Sequence, residues 1–264
     1  MLRKPCLFLD FHRSFKSILT IHRTRMINHS SFYRGFKTSY PIIQATNCPA
    51  GHVELFVALN TNDFPGYTSW MLVKASGTTA TVIESFQAWD WQVNTMVMKS
   101  VCVRPAEKYY LIVVDAMGEG MQTATTKGSW SLLMPDGQQV QKGGNFKYHD
   151  IYEFGMPKGC RRGYKSFSLI MKTDDTLGDT SWRLKTIDGR YFARSPANYK
   201  NSALAYFETC LPPNQTYVFE MKDLRGDGLC CVDGHGFFAI YVNGIISAFV
   251  EEEIFALKNL TFTT

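Results

Sequence analysis

At 264 residues the chain has room for one large domain or two of ordinary size, and its 45% hydrophobic content can fill a sizeable core. No stretch approaches the roughly 18 uninterrupted apolar residues of a membrane-spanning helix, so no span is expected. The net charge of +5 sits in the tail: residues 1–40 hold eight Lys/Arg against Asp10 alone, which leaves 20 basic and 22 acidic residues for the remainder and excludes a nucleic-acid-binding body.

Residues 1–46 read as a basic targeting or disordered segment. The stretch is rich in Ser and Thr, poor in acid, and lacks the continuous apolar run of a secretory signal. An organellar transit peptide, for plastid or mitochondrion, is the first reading. A basic arm, or an extension ahead of an internal start at Met26, is the other.

From residue 47 onward the chain repeats itself. VELFVALNTNDFPGYTSWMLV, residues 53–73, aligns with KSFSLIMKTDDTLGDTSWRLK, residues 165–185, at an offset of 112 that pairs Thr61 with Thr173, Gly66 with Gly178 and Trp70 with Trp182. YYLIVVDAMGEG, from Tyr109, aligns with YVFEMKDLRGDG, from Tyr217, at an offset of 108. The second of these alternates: Tyr217, Phe219 and Met221 share one face, and Val218, Glu220 and Lys222 the other. Asp223 then opens a turn in which Gly226 and Gly228 flank Asp227.

Each half continues with a Gly-led strand ending in a hairpin signal, GSWSLLMPDG (128–137) and GFFAIYVNG (236–244). Each closes on a short apolar-spaced segment, FKYHDIYEF (146–154) and IFALKNLTF (254–262). The stretch 80–101 alternates weakly and reads as strand plus loop. The link MPKGCRRG, residues 156–163, has the composition of an exposed connector. Frequent turns and abundant Val, Ile, Phe, Tyr and Thr predict an all-β fold of two tandem antiparallel β-sandwich domains, 47–156 and 157–264, in a pseudo-two-fold relation.

Seven cysteines accompany the repeat. Cys48 and Cys160 precede the first strand of each half, and Cys102 and Cys210 precede the Tyr strand. Bridges 48–102 and 160–210 form a framework in an oxidising compartment; in a plastid or cytosol the four are buried thiols inherited by duplication. Adjacent Cys230 and Cys231 resist bridging each other. Sequons at Asn28, Asn214 and Asn259 matter only on the secretory route.

These residues carry a resemblance. The run Thr173-Asp174, Asp179-Thr180-Ser181-Trp182, Cys210-Leu211-Pro212, Tyr217, Asp223, Gly226-Asp227-Gly228, Cys230-Cys231 and Gly234-His235-Gly236 resembles a tandem β-sandwich module common in proteins of diatoms and other marine microbes. The resemblance covers about residues 48–264, more loosely in the first half, which keeps Thr68-Ser69-Trp70 and Asp115 but has Gly-Glu-Gly and no Cys pair. Family members often carry a cysteine before the Tyr strand, where this chain has Thr216. The two-domain architecture behind a targeting tail also resembles the pyrenoid shell proteins of diatom plastids, which implies a self-assembling sheet or shell.

Candidate sites follow from the loops. Asp174, Asp175 and Asp179 lie in one, Asp223 and Asp227 in another; if the loops meet, several hard oxygen ligands converge as Ca²⁺ requires, the alternative being ordinary Asp turn chemistry. The first half offers Asn62, Asp63, Tyr67, Asp115 and Glu119 there. Trp70 and Trp182 read as core rather than sugar platforms, since Leu72 and Leu184 follow at same-face spacing. Trp89 and Trp91, which flank Asp90, are candidate partner contacts, as are Arg161 and Arg162 against the Glu251, Glu252 and Glu253 of a neighbouring copy. Cys230, Cys231 and His235 lack zinc-ligand spacing and an oriented base. No phosphate loop, nucleophile elbow or dinucleotide fingerprint is present.

The expectation is therefore a non-enzymatic structural or assembly protein, with homo-oligomer or protein partners and no cofactor beyond Ca²⁺ in the second half. The competing expectation is a secreted or surface binding module whose Ca²⁺-ordered loops recognise a glycan or a protein.

Overall fold

The computed structural model describes residues 48–87, 92–155, 159–176, 178–196, 199–200, 202–229 and 234–264. These are all-β apart from a 3₁₀ turn at Pro65–Tyr67. The first half supplies β1 (Val53–Asn60), β2 (Thr68–Ser76), β3 (Thr79–Gln87), β4 (Met96–Val103), β5 (Lys108–Asp115), β6 (Ser129–Leu133), β7 (Gln139–Gly143) and β8 (His149–Gly155). The second supplies β9 (Lys165–Lys172), β10 (Thr180–Thr186), β11 (Tyr191–Arg194), β12 (Leu204–Leu211), β13 (Thr216–Asp223), β14 (Phe237–Val242), β15 (Ile245–Glu251) and β16 (Leu257–Thr263).

Four antiparallel sheets result. The first half has orders β4-β1-β6-β7 and β3-β2-β5-β8; the second has β12-β9-β14-β15 and β11-β10-β13-β16. Adding eight to every label of the first half reproduces the second, so the sequence repeat is a repeat of topology. The Asn243-Gly244 turn has both residues at positive φ, as a two-residue hairpin of matching twist requires. The weakly alternating stretch after residue 79 contains two strands, β3 and β4.

Each half buries its own core between its two sheets. In the first, Leu55, Val57 and Leu59 of β1 meet Trp70 and Leu72 of β2, Leu111 and Val113 of β5, and Trp130 of β6. In the second, Phe167, Leu169 and Met171 meet Trp182, Leu184, Tyr217, Phe219, Met221 and Phe238. Both repeated tryptophans are therefore core residues, and Trp182 Nε1 donates to the Tyr199 hydroxyl at 2.8 Å. One disulfide per half, Cys48–Cys102 and Cys160–Cys210, ties the entry segment to the edge strands β4 and β12. By the chain-entropy model, closing loops of this length contributes about 4 kcal/mol each.

A third apolar layer joins the halves. Val73 and Ala75 of β2 and Tyr110 and Ile112 of β5 pack on Ile170 of β9, Tyr206 of β12 and Phe237, Ala239 and Tyr241 of β14. The sheets that meet are not equivalent ones. The pseudo-two-fold expectation is corrected here: the first half presents its β3-β2-β5-β8 face to the β12-β9-β14-β15 face of the second, a head-to-tail contact. The counterpart of the presenting face, on β10 and β13, is charged. Arg183, Lys185, Glu220 and Lys222 stand at the repeat positions of Met71, Val73, Ile112 and Val114.

Inside this layer Lys108 is buried with two carboxylates. Its Nζ lies 2.8 Å from Glu208 Oε1 and 3.5 Å from Glu153 Oε1, and Glu153 also accepts hydrogen bonds from Tyr110 and Ser168. Removing the cation leaves two desolvated acids facing each other. Lys108→Met is expected to lower unfolding free energy by about 3 kcal/mol or more, read by chemical denaturation. Adding Glu153→Gln and Glu208→Gln to it is expected to restore part of the loss.

Candidate metal centre

Two loops at one end of the second sheet pair build the site. Thr173 to Asp179 links β9 to β10, and the chain after Asp223 links β13 to β14. Thr173 anchors the first: its Oγ1 donates to Lys200 O at 2.9 Å and accepts from Ala203 N at 2.8 Å. The ladder brings the two loops together, because Thr180 pairs with Asp223 and Asp179 O accepts from Leu224 N at 3.1 Å. Glycine is required at two places. Gly228 sits at φ +77°, where a Cβ would collide with Glu253 O, and a Cβ on Gly236 would press on Lys172 O and Leu229 O.

Asp174, Asp179, Asp223 and Asp227 converge there, each offering a carboxylate oxygen within 4.8 Å of the others. Asp174 and Asp223 are only 1% exposed and Asp179 6%. Three of the four use one oxygen locally and keep the other free. Asp174 Oδ1 accepts from Thr176 N at 3.1 Å, Asp223 Oδ1 from Gly226 N at 2.6 Å and Asp227 N at 3.2 Å, and Asp179 Oδ1 from Thr180 Oγ1 at 3.3 Å. The remaining Asp174 Oδ2, Asp179 Oδ2 and Asp223 Oδ2, with Asp227 Oδ1, are buried without a hydrogen-bond donor. Orphaned buried carboxylate oxygens are costly, and one on each of four converging acids suits a hard cation.

The electrostatics agree. Burial, and then the charges of Asp179, Asp223 and Asp227, push the Asp174 carboxyl up to about 6. Asp223 is raised by the same burial and by its acidic neighbours.

The first half carries the same scaffold with only half of the acidic set, Asp115 and Glu119. Thr61 Oγ1 donates to Gln92 O and accepts from Thr95 N, both at 2.8 Å, as Thr173 does in its loop. Asn62 replaces Asp174, with its Nδ2 3.5 Å from Gly120 O, and exposed Tyr67 replaces Asp179. Asp115 Oδ1 accepts from Met117 N and Glu119 N. The cluster in the second half is the one group of converging metal-ligand types found among the described residues.

The fifth predicted ligand, Asp175, turns elsewhere: its Oδ1 accepts from Ser202, and its carboxyl lies against Gly234. His235 stacks on Tyr148, ring centres 4.1 Å apart, and burial lowers its imidazole below the usual range. The acidic triplet finds partners within the chain: Glu251 with His149 at 3.2 Å, Glu252 with Lys147 at 3.4 Å and Glu253 with Lys258 at 2.5 Å. Arg161 and Arg162 are exposed, and Arg161 stacks on Tyr164. Trp89, Trp91, Cys230 and Cys231 lie outside the described residues. Sequence reasoning did not single out exposed Leu224, Ile254 and Leu257 around the loops; comparing Leu224 with Ala116, its repeat partner, was the available signal.

In chelator, Asp174 and Asp223 keep their protons to higher pH when folded than when unfolded, as does Asp115, pushed up to about 6 by burial. Folding then binds protons at these carboxyls between the unfolded and folded values, so their contribution to stability is expected to fall as pH rises from about 4 to 6 and to level off above. Melting curves across this range in chelator check it, and Asp174→Asn is expected to flatten the slope while leaving the share of Asp115.

No family model matches the chain, and no curated protein or solved structure matches it either.

Proposed function

We propose that the chain is a non-enzymatic binding protein whose second sheet pair holds a Ca²⁺-class cation that orders its recognition loops. The carrying observation is the set of four buried, donorless carboxylate oxygens contributed by two loops of one sandwich end. Asp174, Asp179, Asp223 and Asp227 would hold the cation, and its charge would offset their mutual repulsion. The bridges Cys48–Cys102 and Cys160–Cys210 support a secreted or surface location over a reducing one.

Calcium is expected to raise the melting temperature. At 100-fold excess over Kd, binding adds about 2.7 kcal/mol, or about 5–10 °C for a domain of this size. Asp223→Asn is expected to abolish the response while leaving the chelated protein as stable or more so. Identical melting with calcium and with chelator would remove this reading.

The assembly reading has its own support. The outward side of sheet β4-β1-β6-β7 carries Phe56, Ala58, Met98 and Leu133, at the positions by which the second half receives the first. The charged outer face of β10 and β13 opposes endless head-to-tail growth, so this reading favours a closed dimer through the apolar side. Light scattering across a concentration series tests it; a monomer at every concentration would count against it.

A further inference from the structure

We infer that the cation-loaded loop end of the second sheet pair docks on an anionic phospholipid surface. The inference rests on the cation reading above and names the partner of that same site. Three exposed aliphatic side chains surround the loops: Leu224 (67% exposed), Ile254 (72%) and Leu257 (54%). Their contiguity follows from the backbone. Asp223 N donates to Ala256 O at 3.0 Å, Lys222 pairs with Leu257 across β13 and β16, and the segment leading to Ile254 packs on Gly228 beside Asp227.

The duplicated half is an internal control. Where the carboxylate set is incomplete, Ala116 stands for Leu224, and His149, which pairs with Val114 as Leu257 pairs with Lys222, is buried and bound to Glu251. At these two positions the exposed aliphatic side chains belong to the second half alone.

Charge and coordination complete the case. Four carboxylates repel lipid phosphates when the site is empty, and a divalent ion halves their charge, next to exposed Arg225 and Lys222. Four side-chain oxygens fill only part of the six to eight positions that Ca²⁺ takes, so an outside phosphate oxygen can complete the shell. Asp227, the least buried ligand, marks the open side, on the same loop as Leu224. Separate aliphatic tips, with no exposed aromatic named beside them among the described residues, suit insertion among acyl chains better than a protein hot spot.

The test is co-sedimentation of the full chain with phosphatidylcholine vesicles, with and without about 20% phosphatidylserine, in millimolar calcium or in chelator. Binding is expected only with both phosphatidylserine and calcium. Leu224→Ser with Ile254→Ser is expected to weaken it by about tenfold or more while the calcium-induced rise in melting temperature persists. Calcium-responsive melting without vesicle binding would overturn the docking inference alone, as would undiminished binding by the variant or calcium-dependent capture of a glycan or protein in place of vesicles. Calcium-independent vesicle binding would assign the contact to the basic residues 1–40 and overturn it as well. Loss of both responses would overturn the cation reading on which it stands.

Discussion

Strands β5, β9 and β14 have water on neither face, and the arrangement of the molecule depends on that. Alternate side chains of β5 point into the core of the first half and into the layer between the halves, as Tyr109, Leu111 and Val113 do on one side and Tyr110 and Ile112 on the other. Apolar surface of this extent cannot remain exposed, so one sheet of each half must find a partner. Burial in turn demands that polar groups caught in the layer be satisfied. Lys108, Glu153, Glu208, Ser168 and Tyr110 do this for one another.

The two halves have divided their tasks. Each kept the loop scaffold, with a threonine anchoring the first loop and glycines allowing close backbone approach. The first half gives its β2 and β5 face to the interface and has Asn62 and Tyr67 where the second has Asp174 and Asp179. The second kept a charged outer face and concentrated four carboxylates. A contact between non-equivalent faces permits this, because each copy then meets different surroundings.

Much of the fold was legible from residues alone. Alternation in YVFEMKD separated inward Tyr217, Phe219 and Met221 from outward Glu220 and Lys222, and the structure buries the first set. That YYLIVVD is covered on both faces emerged only from the packing of β5 between the core of the first half and the layer joining the halves. At the site, four of five predicted carboxylates converge; Asp175 does not, since side-chain direction in an irregular loop has no period to read.

Sequence by itself determined the all-β class, the strands carried by the repeat, the duplication and which carboxylates lie in which loops, because these follow from local periodicity, turn chemistry and an offset of residues. Tertiary structure alone decided which sheets meet, that Glu251 and Glu252 find partners in the first half, and that four converging carboxylates keep a buried oxygen without a donor. Those outcomes depend on contacts between residues about 50 to 100 positions apart, and no local pattern encodes the direction in which a distant side chain arrives.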